Sequence, residues 1–258
     1  AWAAQILGWR NAFLAVAGIT AVVALLVFAF VRDAPPERAG RPPLRPETLA
    51  EVRRGLVEDM RTKGLLPILA MHSVAYATML TILGVWAGPY LHDVHGLDGV
   101  ARGNVIFAMG AAQIAGILAY GPLDRLFRSR KKVVAAGALL TLSILLLLGL
   151  VPGLGLGPVA VLLIGFTLAA AYPVVIVAQG RALFPDRLAG RGVTTVNMAQ
   201  LLGLVLLPTV SGSIIGALAE AGRPAPEIAY RAVFLALAVC LALGLLAYRK
   251  SIDSAPGP

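Results

Sequence analysis

The sequence is poor in groups that perform covalent chemistry or hold metals. It has one cysteine, Cys240, in 258 residues, which excludes an intrachain disulfide. Its histidines are His72, His92 and His95; only the last two stand at a metal-like spacing, and no third ligand is placed beside them. The phosphate loop GxxxxGK[ST], the GxSxG elbow and the zinc motif HExxH are all missing, so no enzyme and no cofactor is expected. Charge is scarce too, at 14% of residues. Asp and Glu are absent from the interior of every long apolar run, and Lys63, Lys131, Lys132 and Lys250, the four lysines, all lie outside them.

What the chain has is apolar surface. Hydrophobic residues make up 59% of it and the mean hydropathy is +0.83, values that a water-soluble globule does not sustain. Seven apolar runs stand out: 9–31, 65–91, 103–122, 133–151, 158–183, 192–218 and 231–248. Each approaches the ~20 residues that cross a ~30 Å hydrocarbon core. The expected fold is all-α, a polytopic bundle of membrane-spanning helices.

The basic residues fall in alternate connections. Residues 32–64 hold eight Lys/Arg, 123–132 five, 181–191 three, and the tail after Tyr248 two, which together are eighteen of the twenty-two. Basic connections mark the cytoplasmic side, so the N-terminus is expected outside and the C-terminus in the cytoplasm, in an inner (plasma) membrane. A net charge of +9 would suggest nucleic acid for a soluble chain. Here the charges flank spans, where they meet anionic headgroups, and the expected partners are membrane lipids and no nucleic acid.

The connection after the first run divides the chain into a span at 1–31, a cytoplasmic linker at 32–64, a six-span block at 65–250 and a tail at 251–258. Five prolines between Asp33 and Pro46 make the linker's first part extended. Thr48 and Glu51 have capping-box spacing, and Leu49, Val52, Leu56 and Met60 recur at helical spacing, which predicts an amphipathic helix at the inner headgroups. The chain begins at Ala1, with its first span needing an outside start, so earlier spans are expected to be missing.

A block of six spans behind a long charged connection matches the half-and-half layout of twelve-span carriers. Three segments, in order, resemble the major facilitator superfamily. Gly8-Trp9-Arg10-Asn11-Ala12-Phe13 is similar to the GWRxxF entry to that family's sixth span. Residues 121–131, from Gly121-Pro122-Leu123-Asp124-Arg125 to Arg130-Lys131, resemble the second copy of its G-x-L-x-D-R-x-G-R-R loop, and residues 184–192 resemble the short loop before span eleven. Gly121 precedes Asp124 by three residues instead of four, and Arg128 sits near the place where the family loop has its glycine. Only Gly121, Asp124, Arg125, Arg130 and Lys131 are therefore carried over. The resemblance implies that this loop latches helices together in one state of a carrier; charge alone would make it a topology anchor.

The resemblance also implies transport of a small solute by alternating access, with a proton or another coupling ion, alongside a six-helix N-terminal half. Polar side chains inside spans are the candidates for the solute cavity. His72, Tyr76, Met79, Leu83, Trp86 and Tyr90 follow spacings of three and four and so share a helix face. His72, Tyr76 and Trp86 are taken as cavity residues, although Trp86 also suits an interfacial belt. Tyr172 and Gln179 flank Pro173, which should kink its helix. Asn197 and Gln200, three apart, complete the set and would otherwise bridge helices; Gln113 is a weaker case. Rows of small residues, Ala108/Ala112/Gly116 and Ala232/Ala236/Cys240/Gly244, point to close helix packing. The rival readings are a seven-span receptor, or a helical membrane protein without transport activity. The lack of a lysine in any span, needed for a retinal Schiff base, and of a second cysteine weighs against the receptor.

Overall fold

A computed structural model describes residues 2–31, 48, 60, 62–185, 188–220 and 226–253. It has two compact units, residues 1–53 and 54–258. Among the described residues there are helices and no strands, as the composition requires of a chain that must satisfy every backbone group inside lipid.

The first unit contains α1, Trp2–Phe30, broken at Gly8 (φ 74°, ψ 155°). That backbone is open to glycine and strained for other residues. From Gly8 to Phe30 no residue of the most apolar stretch is buried. A helix that is apolar all round makes sense only against lipid or other helices. At its start Arg10 stacks on the Trp9 ring at 5.2 Å, and Trp9 meets Phe13 edge-on. The predicted amphipathic helix of the linker falls outside the described residues.

The second unit holds the six-span block. Its first span is compound: α2 (Leu65–Leu80), a π-helical turn (Thr81–Trp86) and α3 (Ala87–Asp93). There follow α4 (Gly99–Phe127), α5 (Arg130–Leu150), α6 (Leu156–Ala169), α7 (Pro173–Arg181), α8 (Ala189–Glu220) and α9 (Pro226–Tyr248). With α6 and α7 forming one span, seven spans among the described residues are long and apolar enough to cross a membrane, including Gly99–Phe127, Gly190–Leu218 and Glu227–Tyr248. The helices extend several residues beyond the apolar runs, because a helix continues through the headgroup layer where charged residues are tolerated.

Small residues set the packing. Helix α2 lies against α8 and α9, α9 against α5, and α4 against α6. A Cβ on Gly203 of α8 would lie 1.9 Å from the Ser73 carbonyl oxygen of α2, and one on Gly116 would lie 2.6 Å from the Leu168 carbonyl oxygen of α6. Both crossings exist only because there is no side chain there. The fully buried residues Phe166, Tyr172, Phe234 and Tyr248 are the largest in the core. The span 156–181 breaks, as Pro173 predicts: α6 stops at Ala169 and Pro173 opens α7, where its missing N–H costs nothing.

Charged groups hold the helix ends together. Arg231 donates from Nε to the Gly149 carbonyl and from Nη2 to that of Leu150, each at 2.9 Å, capping the C-terminus of α5. Glu227 accepts from the Gly153 N–H at 2.7 Å, and the Tyr230 hydroxyl donates to Asp93 at 2.5 Å.

Candidate functional site

His72 and Tyr76 stand one turn apart on α2, so their rings follow each other, with centroids 6.4 Å apart and planes tilted by 39°. They form one wall of a cavity of about 220 Å³. Next to them α8 supplies Asn197 and Gln200, whose three-residue spacing puts both amides on one face. Helix α4 adds Gln113 and Ile117. The break between α6 and α7 contributes Ala171, Pro173, Val174 and Val177. No charged side chain lines the cavity among the described residues.

Two of its polar side chains, His72 and Gln113, carry buried atoms without a hydrogen-bond partner. His72 is 1% exposed and neither ring nitrogen has a hydrogen-bond partner; Gln113 Oε1 is also unpaired. Asn197 and Gln200 stand near enough to act on the imidazole as hydrogen-bonding neighbours, although in this arrangement neither meets full hydrogen-bond geometry with it. A buried imidazole left this way costs on the order of 1–3 kcal/mol per unmet group. The cavity therefore offers donors and acceptors to whatever enters it. An apolar surface from Ile117, Val174 and Val177 faces them.

The structure brings together His72, Tyr76, Asn197 and Gln200 and places the other three cavity candidates elsewhere. Trp86 sits at the end of the π-helical turn, which fits more residues into a turn than an α-helix and so swings Trp86 off the His72–Tyr76 face. Its Nε1 donates to Ser211 Oγ at 2.8 Å, and its ring meets Tyr230 edge-on. Tyr172 is 1% exposed and packs on Tyr120 and against Gly137 in the core. Gln179 is wholly buried at the far end of α7, where Nε2 donates to the Ile252 carbonyl at 2.8 Å and Oε1 accepts from the Tyr248 hydroxyl. Gln113 is the polar lining residue that the sequence signals most weakly, since Asn104 is a similar amide in the same span.

The loop carried over from the resemblance divides in a similar way. Gly121, Asp124 and Arg125 lie in the last turns of α4, with Arg125 exposed. Arg128 turns the chain in a left-handed conformation (φ 49°), and Ser129 caps α5 by accepting from the Lys132 N–H. Arg130 and Lys131 open α5. Lys131 does not face α4. Its Nζ donates to the carbonyls of Arg249 and Ser251 at 2.7 Å each, capping α9. The Asp253 carboxylate accepts from Ser129 Oγ at 2.5 Å and from the Lys131 N–H at 3.1 Å. The tail thus closes over the ends of α5, α7 and α9, and Ile252 reaches Gly64, where a Cβ would come within 2.8 Å of it. Nothing in the sequence signals the tail's role, since Asp253 stands in no motif.

His92 lies in the last turn of α3 and His95 in the connection to α4, without a metal constellation: no cluster of three His, Cys, Asp or Glu residues occurs among the described residues. His92 Nδ1 contacts the Leu97 carbonyl at 3.2 Å, and His95 packs edge-on against Tyr90.

No curated protein matches the chain. The family model for the Major Facilitator Superfamily matches residues 1–178, from the first span to α7. Together with seven apolar helices of spanning length, this match shows that the chain belongs to the Major Facilitator Superfamily of membrane transporters.

Proposed function

We propose that the protein takes part in secondary transport of a small solute by alternating access, and that the His72–Gln200 cavity is one wall of the solute path. The observation that carries this reading is the set of unpaired buried polar atoms, His72 Nδ1 and Nε2 and Gln113 Oε1, at one cavity between four spans. Intramembrane polar groups without structural partners belong to pathways more often than to packing. A helix that breaks at Pro173 beside the cavity gives a place to bend. The second wall would come from a six-helix half preceding the linker, in the family's two-bundle layout.

Among the described residues His72 is the one imidazole lining the cavity, and no carboxylate or lysine lines it, so a transported proton would bind there. The alternative within the same reading is uncoupled facilitation. The basic connections put the Phe127–Arg130 turn and the tail in the cytoplasm and the start of α1 outside, in a plasma membrane. The α4–α5 turn with Lys131 and Asp253 is the latch, holding the cytoplasmic helix ends through the tail in the state seen.

The test is solute uptake and solute-driven proton movement in proteoliposomes across a solute panel, with His72→Ala and with Val174→Trp, which fills the cavity mouth. Both variants should lower uptake tenfold or more, and His72→Ala should also remove its pH dependence. Uptake indifferent to both would take the cavity out of the path.

A further inference from the structure

A second, larger cavity lies at the end of the bundle where α4 turns into α5. The two helices touch at Gly137, where a Cβ would lie 2.5 Å from the Tyr120 hydroxyl. Around this contact and on toward the Arg128–Ser129 turn they enclose a groove of about 400 Å³. Leu123 and Phe127 line one side, Val133, Ala136 and Leu140 the other, and Lys132 stands at its end. Phe127 and Leu140 are 59% and 54% exposed, so the groove opens sideways on the bundle. The Tyr120 hydroxyl is already used, donating to the Ala169 carbonyl at 2.8 Å. Lys132 is then the one side chain with a polar group to offer.

Two adjacent lysines have different fates here. Lys131 is bound to the tail carbonyls. Lys132 is exposed and has no ion pair or side-chain hydrogen bond among the described residues. Arg125 and Arg128 are exposed beside it, and residues 123–132 carry five basic residues against one acid. From Lys132 to Leu140 the helix rises ~12 Å, most of the ~15 Å hydrocarbon depth of one leaflet. An apolar slot of leaflet depth with an unpaired ammonium at headgroup level complements one kind of molecule.

We propose that this groove binds an anionic phospholipid of the adjoining leaflet, one acyl chain lying between α4 and α5 and the phosphate paired with Lys132. Basic pockets between spans recognise anionic headgroups in this way. The site is separate from the solute cavity and does not depend on it.

The experiment is native mass spectrometry of the purified protein after reconstitution in nanodiscs of mixed phosphatidylglycerol and phosphatidylcholine. Phosphatidylglycerol should be retained above its bulk share. Lys132→Gln should cut that enrichment about fivefold, the equivalent of ~1 kcal/mol per basic charge, and Lys250→Gln, on an exposed lysine outside the groove, should leave it unchanged. Ala136→Trp should expel the retained lipid whatever its headgroup, with Leu140→Trp as the second filling variant if the first does not fold. Equal retention of the two lipids, or enrichment indifferent to Lys132 and to filling, overturns the proposal. A dimer that Ala136→Trp dissociates would overturn it too, by giving the groove to a second copy.

Discussion

His95 shows how a single side chain can set a pH limit on this fold. It lies outside the spans, half-buried against Tyr90 at 5.3 Å, and its Nε2 has no partner. Burial pushes its pKa down from the usual 6.5, and the nearby Glu227 carboxylate opposes this only in part. A group whose charged form is disfavoured in the folded state binds fewer protons folded than unfolded, so stability falls as pH drops below the unfolded pKa near 6.5. The protein should therefore lose thermal stability between pH 7.5 and pH 5, and His95→Gln should show a smaller loss. Parallel melting in detergent at both pH values checks it; identical losses would mean that His95 does not contribute. His72, in contrast, could be picked out from sequence because an ionisable group within an apolar run is conspicuous. Its unpaired nitrogens could not, since they depend on where α8 places Asn197 and Gln200.

At the scale of elements, the spans were legible because lipid forces a simple code, a long apolar run closed by charge. What was not legible lies where helices change character. The π-helical turn at Thr81–Trp86 leaves no mark on residue spacing, so a stripe that is continuous on an ideal helix is split, and Trp86 serves a contact to Ser211 instead of the cavity. The tail is the second case. Arg249–Asp253 looks like a solvated end, yet it fills the hydrogen-bonding needs of two helix termini: Lys131 caps α9, and Asp253 sits on the N-terminus of α5. A carboxylate there satisfies orphan N–H groups and opposes the positive end of the helix dipole, an effect of ~1 kcal/mol. Asp253→Asn should raise the hydrogen-exchange rate at the Lys131 and Lys132 amides about fivefold while amides in mid-α5 keep theirs. Unchanged exchange at the helix start would show that Ser129 alone maintains the cap.

For the whole molecule, alternation of charge carries further than any one motif. The superfamily loop is imperfect here, with Arg128 near the place of its glycine, and the structure gives Arg128 the left-handed turn in which glycine is at ease. The order of segments and the charge pattern identified the family where the loop alone was weak. The same pattern predicts a sidedness that can be measured. Helix α5, Arg130–Leu150, rises ~31 Å, about one hydrocarbon core, so its two ends must face opposite compartments. Its start is joined to the most basic short connection, and its end to residues 152–157, which carry no charge. In a Cys240→Ala background, single cysteines at the exposed positions Arg128 and Pro152 should react oppositely with a membrane-impermeant maleimide. Pro152→Cys should label on intact cells, and Arg128→Cys only after permeabilisation. The reverse result would invert the topology and move the latch to the outer face. Labelling of both on intact cells would mean that α5 does not span, and the six-span block would then have to be redrawn.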